Sequence, residues 1–138
     1  MATPTKTLRL RTHLQAEIAR IAKRTRRSFS EVTQDLLEEA LRMRGCPGIY
    51  FANEPAGREA KVAGTGLGIW EVIRDYLASG KNTRALKMSL PQLSEAQVKA
   101  CLLYYHKHRE EIDAHIAENA ALTGQILQAR LPGIVRSA

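Results

Sequence analysis

The sequence predicts a mainly α-helical protein made of two small modules and a tail. Its first module is a dimerising strand-helix-helix unit, its second a β-hairpin with a helix-turn-helix unit. Three observations predict this. Apolar residues recur at helical spacing through most of the chain, and a short basic stretch of alternating character, Lys6 to Arg11, precedes the first helical pattern. Gly45-Cys46-Pro47-Gly48 then interrupts the pattern, and the composition changes after it. The expected modules are residues 1–45, 46–121 and 122–138, each too short to bury a large core alone.

The composition narrows the function classes. Of 138 residues, 44% are hydrophobic, 25% charged and only 5% aromatic, an ordinary balance for a folded soluble protein. No apolar run approaches the roughly 18 residues a membrane-spanning helix needs, and the N-terminus lacks a signal-peptide core, so the cytoplasm is the expected location and no membrane partner is expected. Cys46 and Cys101 stand in neither metal-binding nor redox spacing and read as two reduced thiols. The net charge of +7 is concentrated: residues 1–30 hold eight Lys or Arg against one acid, Glu17. That asymmetry points to a polyanionic partner.

In the basic stretch, Leu8 and Leu10 fall on one face of a strand and Thr7, Arg9 and Arg11 on the other, because strand side chains alternate with period two. A lone strand leaves half its backbone groups unpaired, so it needs a partner edge, and a second copy of the chain supplies an identical one. Two such strands make an antiparallel ribbon of a width that enters the major groove of duplex DNA. Leu14, Ile18, Ile21 and Ala22 then mark one face of a helix opened by Thr12 or His13, with Lys23, Arg24, Arg26 and Arg27 at its end, where cations favour the C-terminal carbonyls. Ser28-Phe29-Ser30-Glu31 has capping-box spacing and starts a second helix, whose apolar face is Val32, Leu36, Leu37, Ala40 and Leu41.

Strand, helix and helix within about forty residues, with a basic strand and a Ser-x-Ser helix start, resembles the ribbon-helix-helix family of DNA-binding proteins over residues 5–44. The resemblance implies that Thr7 and Arg9 contact bases, with Thr5 or Arg11 as well, depending on where the strand begins. It also implies that the helix start at Ser28, Phe29 and Ser30 clamps a phosphate through its backbone N–H groups, as helix N-termini can. Lys23, Arg24, Arg26 and Arg27 would add backbone attraction. Lys6 departs from the family pattern, which usually has an apolar inward residue there, and it leaves the strand register open by one residue.

After the break, Ile49-Tyr50-Phe51 and Glu59-Ala60-Lys61-Val62 read as hairpin strands around a turn at residues 53–57. The run Gly64-Thr65-Gly66-Leu67-Gly68 lacks the Gly-Lys-Ser/Thr ending of a phosphate loop and reads as a tight turn into the next helix. That helix carries Ile69, Val72, Ile73, Tyr76 and Leu77 inward and ends at Gly80, with Trp70 beside its stripe in a packing or subunit contact. Asn82 caps a short helix from Thr83 to about Met88, and Pro91 breaks the chain. A second capping box, Ser94 to Gln97, starts a helix with Val98, Cys101, Leu102 and Tyr105 inward, and its pattern continues through Ile112 and Ile116.

Helix, short helix, turn and longer helix is the order of a helix-turn-helix unit. The run from Gly57 to Leu67, Trp70-Glu71-Val72-Ile73, and Leu90-Pro91-Gln92-Leu93-Ser94 resembles the domain-of-unknown-function family 433 over about residues 49–113. That resemblance implies a winged-helix-like or three-helix DNA-binding fold and antitoxins paired with PIN-like ribonuclease toxins. Arg84, Lys87 and Lys99 are the second module's candidate DNA contacts, while its many acids leave dimerisation or partner binding an equal reading.

His106 and His108 point about 200° apart on one helix, so they do not form a metal-binding pair, and no metal or cofactor is expected. No nucleophile stands beside a base, and no catalytic residue is assigned, so the chain does not read as an enzyme. The segment 122–138 alternates large apolar residues with Gly and Pro, as partner-binding tails do, or it packs on its own dimer. A PIN-like ribonuclease has a carboxylate metal site, which Arg130, with Arg136 second, would plug.

Together these readings predict a homodimer, or a tetramer formed by two dimers, that binds operator DNA as a sequence-specific repressor. The antitoxin reading adds neutralisation of a toxin. The alternatives are a regulator with no toxin partner, and an assembly protein whose ribbon only dimerises.

Overall fold

The computed structural model describes residues 3–131, and among them lie six helices and one two-stranded antiparallel sheet. Chain contacts divide between Arg42 and Met43 into two compact units. None of the described helices is long and apolar enough to cross a membrane.

The first unit contains α1 (Thr12–Thr25) and most of α2 (Phe29–Gly45). The strand expected at Lys6 to Arg11 is not formed within one chain: residues 3–11 have no regular secondary structure. A strand exists only by its ladder of backbone hydrogen bonds, and neither helix of the unit offers an edge to pair with. The core of this unit is Ile18, Ala22 and Val32, with Leu10 and Ile21 packed against it. Leu8, Leu14, Leu36, Leu37 and Leu41 remain exposed, Leu8 at 58% and Leu41 at 69%. Leu36, Leu37 and Leu41, expected on the inward face of α2, are therefore outside this small core. A three-residue core cannot cover the apolar surface that the sequence pattern presents.

The second unit begins with a hairpin, β1 (Ile49–Glu54) and β2 (Gly57–Val62), in which Ile49 pairs with Val62 and Phe51 with Ala60. Period-two alternation puts Ile49, Ala60 and Val62 on the buried face. The glycine run that follows is a turn: the Val62 N–H donates to the Leu67 carbonyl at 2.8 Å, and Thr65 Oγ1 accepts from the Leu67 N–H at 3.1 Å. Gly64 and Gly66 take positive φ values of 85° and 72° there, a conformation that residues with a Cβ rarely adopt.

Four helices follow this hairpin, α3 (Ile69–Ala78), α4 (Thr83–Ser89), α5 (Glu95–Lys107) and α6 (Arg109–Arg130), with α3 and α5 packed on β2 and α4 and α6 on α3. Asn82 caps α4 by accepting from the Arg84 and Ala85 N–H groups, and Ser94 with Gln97 forms the predicted box at α5. Gln97 also donates to the Ala63 carbonyl at 3.1 Å, tying α5 to the glycine turn. The core runs from Cys46 through Val62, Ile69, Val72, Ile73, Leu86, Leu93, Val98 and Cys101 to Tyr104 and Ile112.

Two expectations change here. The pattern from Val98 through Ile116 is two helices, broken at His108, whose φ of −130° leaves the helical region. The break lets α6 pack on α3 and puts Tyr104 at full burial, with Tyr105 only partly covered. The Tyr104 hydroxyl donates to Glu111 on α6 at 2.7 Å, which satisfies the polar end of a buried ring. Residues 122–130 are also no separate segment in secondary structure, because α6 continues through Arg130. Its Ala- and Leu-rich sequence, once nucleated upstream, extends the helix across the single Gly124.

Candidate functional site

In the first unit, Thr5, Thr7, Arg9 and Arg11 are all exposed on the segment that leads into α1. Leu10 anchors that segment on the small core, and the Arg11 carbonyl accepts from the Gln15 N–H at 3.0 Å. The anchor fixes one end of the basic stretch on the helix pair.

The turn from α1 to α2 gathers the other basic residues. The chain leaves α1 through Arg26, at φ 56°, and the Arg27 N–H reaches back to the Ala22 carbonyl at 3.0 Å. This is the geometry in which a left-handed residue closes a helix. Two residues later α2 begins with its capping box: Ser28 Oγ accepts from the Glu31 N–H at 3.0 Å, and the Glu31 carboxylate accepts from the Ser28 N–H at 3.3 Å. These bonds, Ser28's foremost, together with Arg27, hold the Glu31 carboxyl below its ordinary value. The N–H groups of Phe29 and Ser30 belong to the first turn, which has no upstream carbonyl to receive them. Ser30 Oγ accepts from Gln34 at 3.0 Å, so its hydroxyl is held beside that turn.

The cations divide into two groups. Arg27, expected to add free attraction, ion-pairs with Asp35 and, at 3.3 Å, with Glu31, and these bonds raise its pKa. Its charge is neutralised within the unit, a pairing across eight residues that helix periodicity alone does not bring to notice. Lys23, Arg24 and Arg26 are exposed and form no ion pair among the described residues. These three precede the α2 start by no more than six residues in sequence, and of the four cations expected there only Arg27 is seen paired with acids of its own unit.

In the second unit, Arg84, Lys87 and Lys99 surround one groove between α4 and α5. At the start of α3 lies an aromatic and acidic cluster that the sequence did not bring together. Trp70 stacks on His115 with ring centres 4.6 Å apart, and Trp70 Nε1 donates to Glu59 at 3.3 Å. His115 Nε2 lies 3.7 Å from the same carboxylate. Gly68 is required there, since a Cβ would come within 2.8 Å of Trp70 Nε1 and 2.9 Å of Glu59. His115 is half-buried, because α6 folds back on the hairpin. A cavity of about 330 Å³ adjoins this cluster, but Glu59 and Glu111 already receive donors from Trp70 and Tyr104. The arrangement is a clasp between hairpin, α3 and α6.

Cys46 and Cys101 are buried thiols, and burial raises Cys101 to about 12. No group of three or more His, Cys, Asp or Glu side chains among the described residues could hold a metal ion. Arg130 is exposed in the last turn of α6, and Arg136 lies outside the described residues. Before Arg130 the helix exposes Leu122, Ile126 and Leu127, and Leu131 just after it is exposed too.

Residues 53–105, from the hairpin almost to the end of α5, match the family described as a protein of unknown function, DUF433. Neither a curated protein nor a solved structure matches the chain.

Proposed function

We propose that this chain is a dimeric, sequence-specific DNA-binding repressor whose N-terminal unit reads the operator. The observation that carries the reading is the combination found in that unit: an incomplete apolar core beside an unpaired basic segment. Three buried side chains are too few to stabilise a unit of this size, whereas a second copy would cover Leu37 and Leu41. The same pairing would give residues 6–11 the partner edge they lack, forming the ribbon of a ribbon-helix-helix dimer. Thr7 and Arg9, with Thr5 or Arg11 by register, would then face base edges, where an Arg can donate two hydrogen bonds to guanine. The Phe29 and Ser30 N–H groups, flanked by Lys23, Arg24 and Arg26, would hold a phosphate and set the register. The second unit, with its hairpin beside α3 to α5, would be the winged-helix-like partner of this reader.

A second activity, neutralising a PIN-like ribonuclease as an antitoxin, is supported by α6. Its exposed Leu122, Ile126, Leu127 and Leu131, with Arg130 among them, form an apolar end suited to a partner's groove. Deleting residues 122–138 would abolish toxin binding and leave operator binding intact, and retained toxin binding would remove this second activity.

The test of the principal reading is binding to duplex DNA from just upstream of the chain's own gene, for the wild type and Arg9→Ala. The expected result is tight binding that Arg9→Ala weakens by about 1–3 kcal/mol with relaxed sequence preference. Equal, weak and non-specific binding by both would leave the N-terminal segment as a dimerisation device alone.

A further inference from the structure

We infer that the groove between α4 and α5 is a docking site for an acidic, amphipathic segment of a protein partner. The inference rests on the groove itself and does not depend on DNA binding by the N-terminal unit.

Two open depressions, of about 410 Å³ and 340 Å³, share Thr83, Lys87 and Glu95 and so lie side by side along the groove. Half-buried Leu102 on α5 lines the groove above the buried Val98, and Met88 stands at the edge, 80% exposed. An unbranched thioether at that exposure suits a surface that repacks around a partner's side chain.

The rim decides the partner's charge. Arg84, Lys87 and Lys99 set three cations against the single carboxylate of Glu95. Lys87 lines both depressions and is half-buried, so its stem follows the groove while its ammonium stays at the edge. Exposed ion pairs contribute little affinity on their own, and Met88 with Leu102 has to supply the apolar part of it. The rim then selects an acidic partner by charge complementarity. Duplex DNA fits less well. Its phosphates have nothing to place on Met88 and Leu102, and Glu95 would repel them. A segment with large apolar side chains on one face and carboxylates beside them meets both these apolar residues and the rim.

The probe is a fluorescein-labelled synthetic peptide of about four helical turns. It carries leucine at i, i+3, i+4 and i+7, with glutamate and glutamine elsewhere, and is titrated with the full chain. The expected result is saturable binding, weakened about tenfold by Lys87→Glu and by Met88→Asp, with melting temperatures unchanged. Met88→Asp changes a side chain outside the core, so it keeps the test valid if Lys87→Glu disturbs folding. A peptide with lysine in place of glutamate, and an acidic peptide without leucine, are expected not to bind. Failure of the wild type to bind the acidic leucine peptide would overturn the inference, as would unchanged affinity in both variants or equal binding of the leucine-free peptide. Loss of duplex DNA binding in Lys87→Glu, with peptide binding unaltered, would reassign the rim to phosphate.

Discussion

Arg26 ends α1 at φ 56°, a left-handed conformation that costs a residue with a Cβ roughly 1–2 kcal/mol. Glycine is the usual occupant of such a position, so an arginine there gives up stability while presenting a cation beside the α2 start. Arg26→Gly is therefore expected to stabilise the chain by about 1 kcal/mol in chemical denaturation and, under the DNA-binding reading, to weaken operator affinity. A variant that loses stability would mean that the arginine side chain makes a folding contact. Glu31 gives a pH prediction. Its carboxyl is lowered in the folded state, so its stabilisation is present above its ordinary value of 4.5 and is lost as pH falls through the lower folded value. Titrating denaturation midpoints from pH 7 downward is expected to show a loss in the wild type below that value, and a smaller loss in Glu31→Gln. Gly68 is a different case. Its φ of −68° is ordinary, and what excludes a side chain is the approach of Trp70 and Glu59. Gly68→Ala is expected to cost about 1–3 kcal/mol by forcing the Trp70 and His115 stack apart, measurable as a lower melting temperature with altered Trp70 fluorescence.

At the scale of elements, α2 shows most clearly what its surroundings leave undone. Val32 is buried by α1, whereas Leu37 and Leu41, one turn apart, face outward. If they form the seam with a second copy, Leu41→Glu would place a carboxylate against an apolar partner. Sedimentation at micromolar concentration is then expected to report monomers of low helicity for residues 1–45, and an unchanged dimer would put the seam elsewhere. The α5 to α6 break carries an opposite lesson. Neither Pro nor Gly marks it, and the apolar spacing runs on through it, so the pattern reads as one helix. What ends α5 is the packing of α6 on α3, fixed by the buried Tyr104 and its bond to Glu111.

At the scale of the whole molecule, charge is distributed by role. Ion pairs remove Arg20 and Arg27 from the basic end, leaving Lys23, Arg24 and Arg26 exposed at the C-terminal end of α1, whose N-terminal end follows the segment that carries Arg9 and Arg11. Under the proposed reading each phosphate neutralised adds about 0.9 to the slope of log K against log salt. A dimer of Lys23→Ala should thus lower that slope by about twice this amount, with sequence preference unchanged. Arg27→Ala should leave the slope as it is, because its partners are Asp35 and Glu31. A salt titration of the three proteins on one operator fragment measures both outcomes, and equal slopes throughout would separate this patch from the phosphate backbone.

The sequence by itself determined the local features: both capping boxes, the Asn82 cap, the hairpin, the glycine turn and the basic asymmetry of the first thirty residues. These depend on neighbours within a few positions, where spacing and residue type suffice. Tertiary structure alone decided which apolar faces find cover, where α5 stops, that Arg27 is spent on Asp35, and that His115 joins Trp70 and Glu59. It also decided that Arg84, Lys87 and Lys99 share one groove. Periodicity gives the direction of a side chain around its own helix, but not what lies opposite. Burial, ion pairing and grooves depend on residues brought together from distant positions, and for the first unit the proposed partner residues belong to a second copy of the chain.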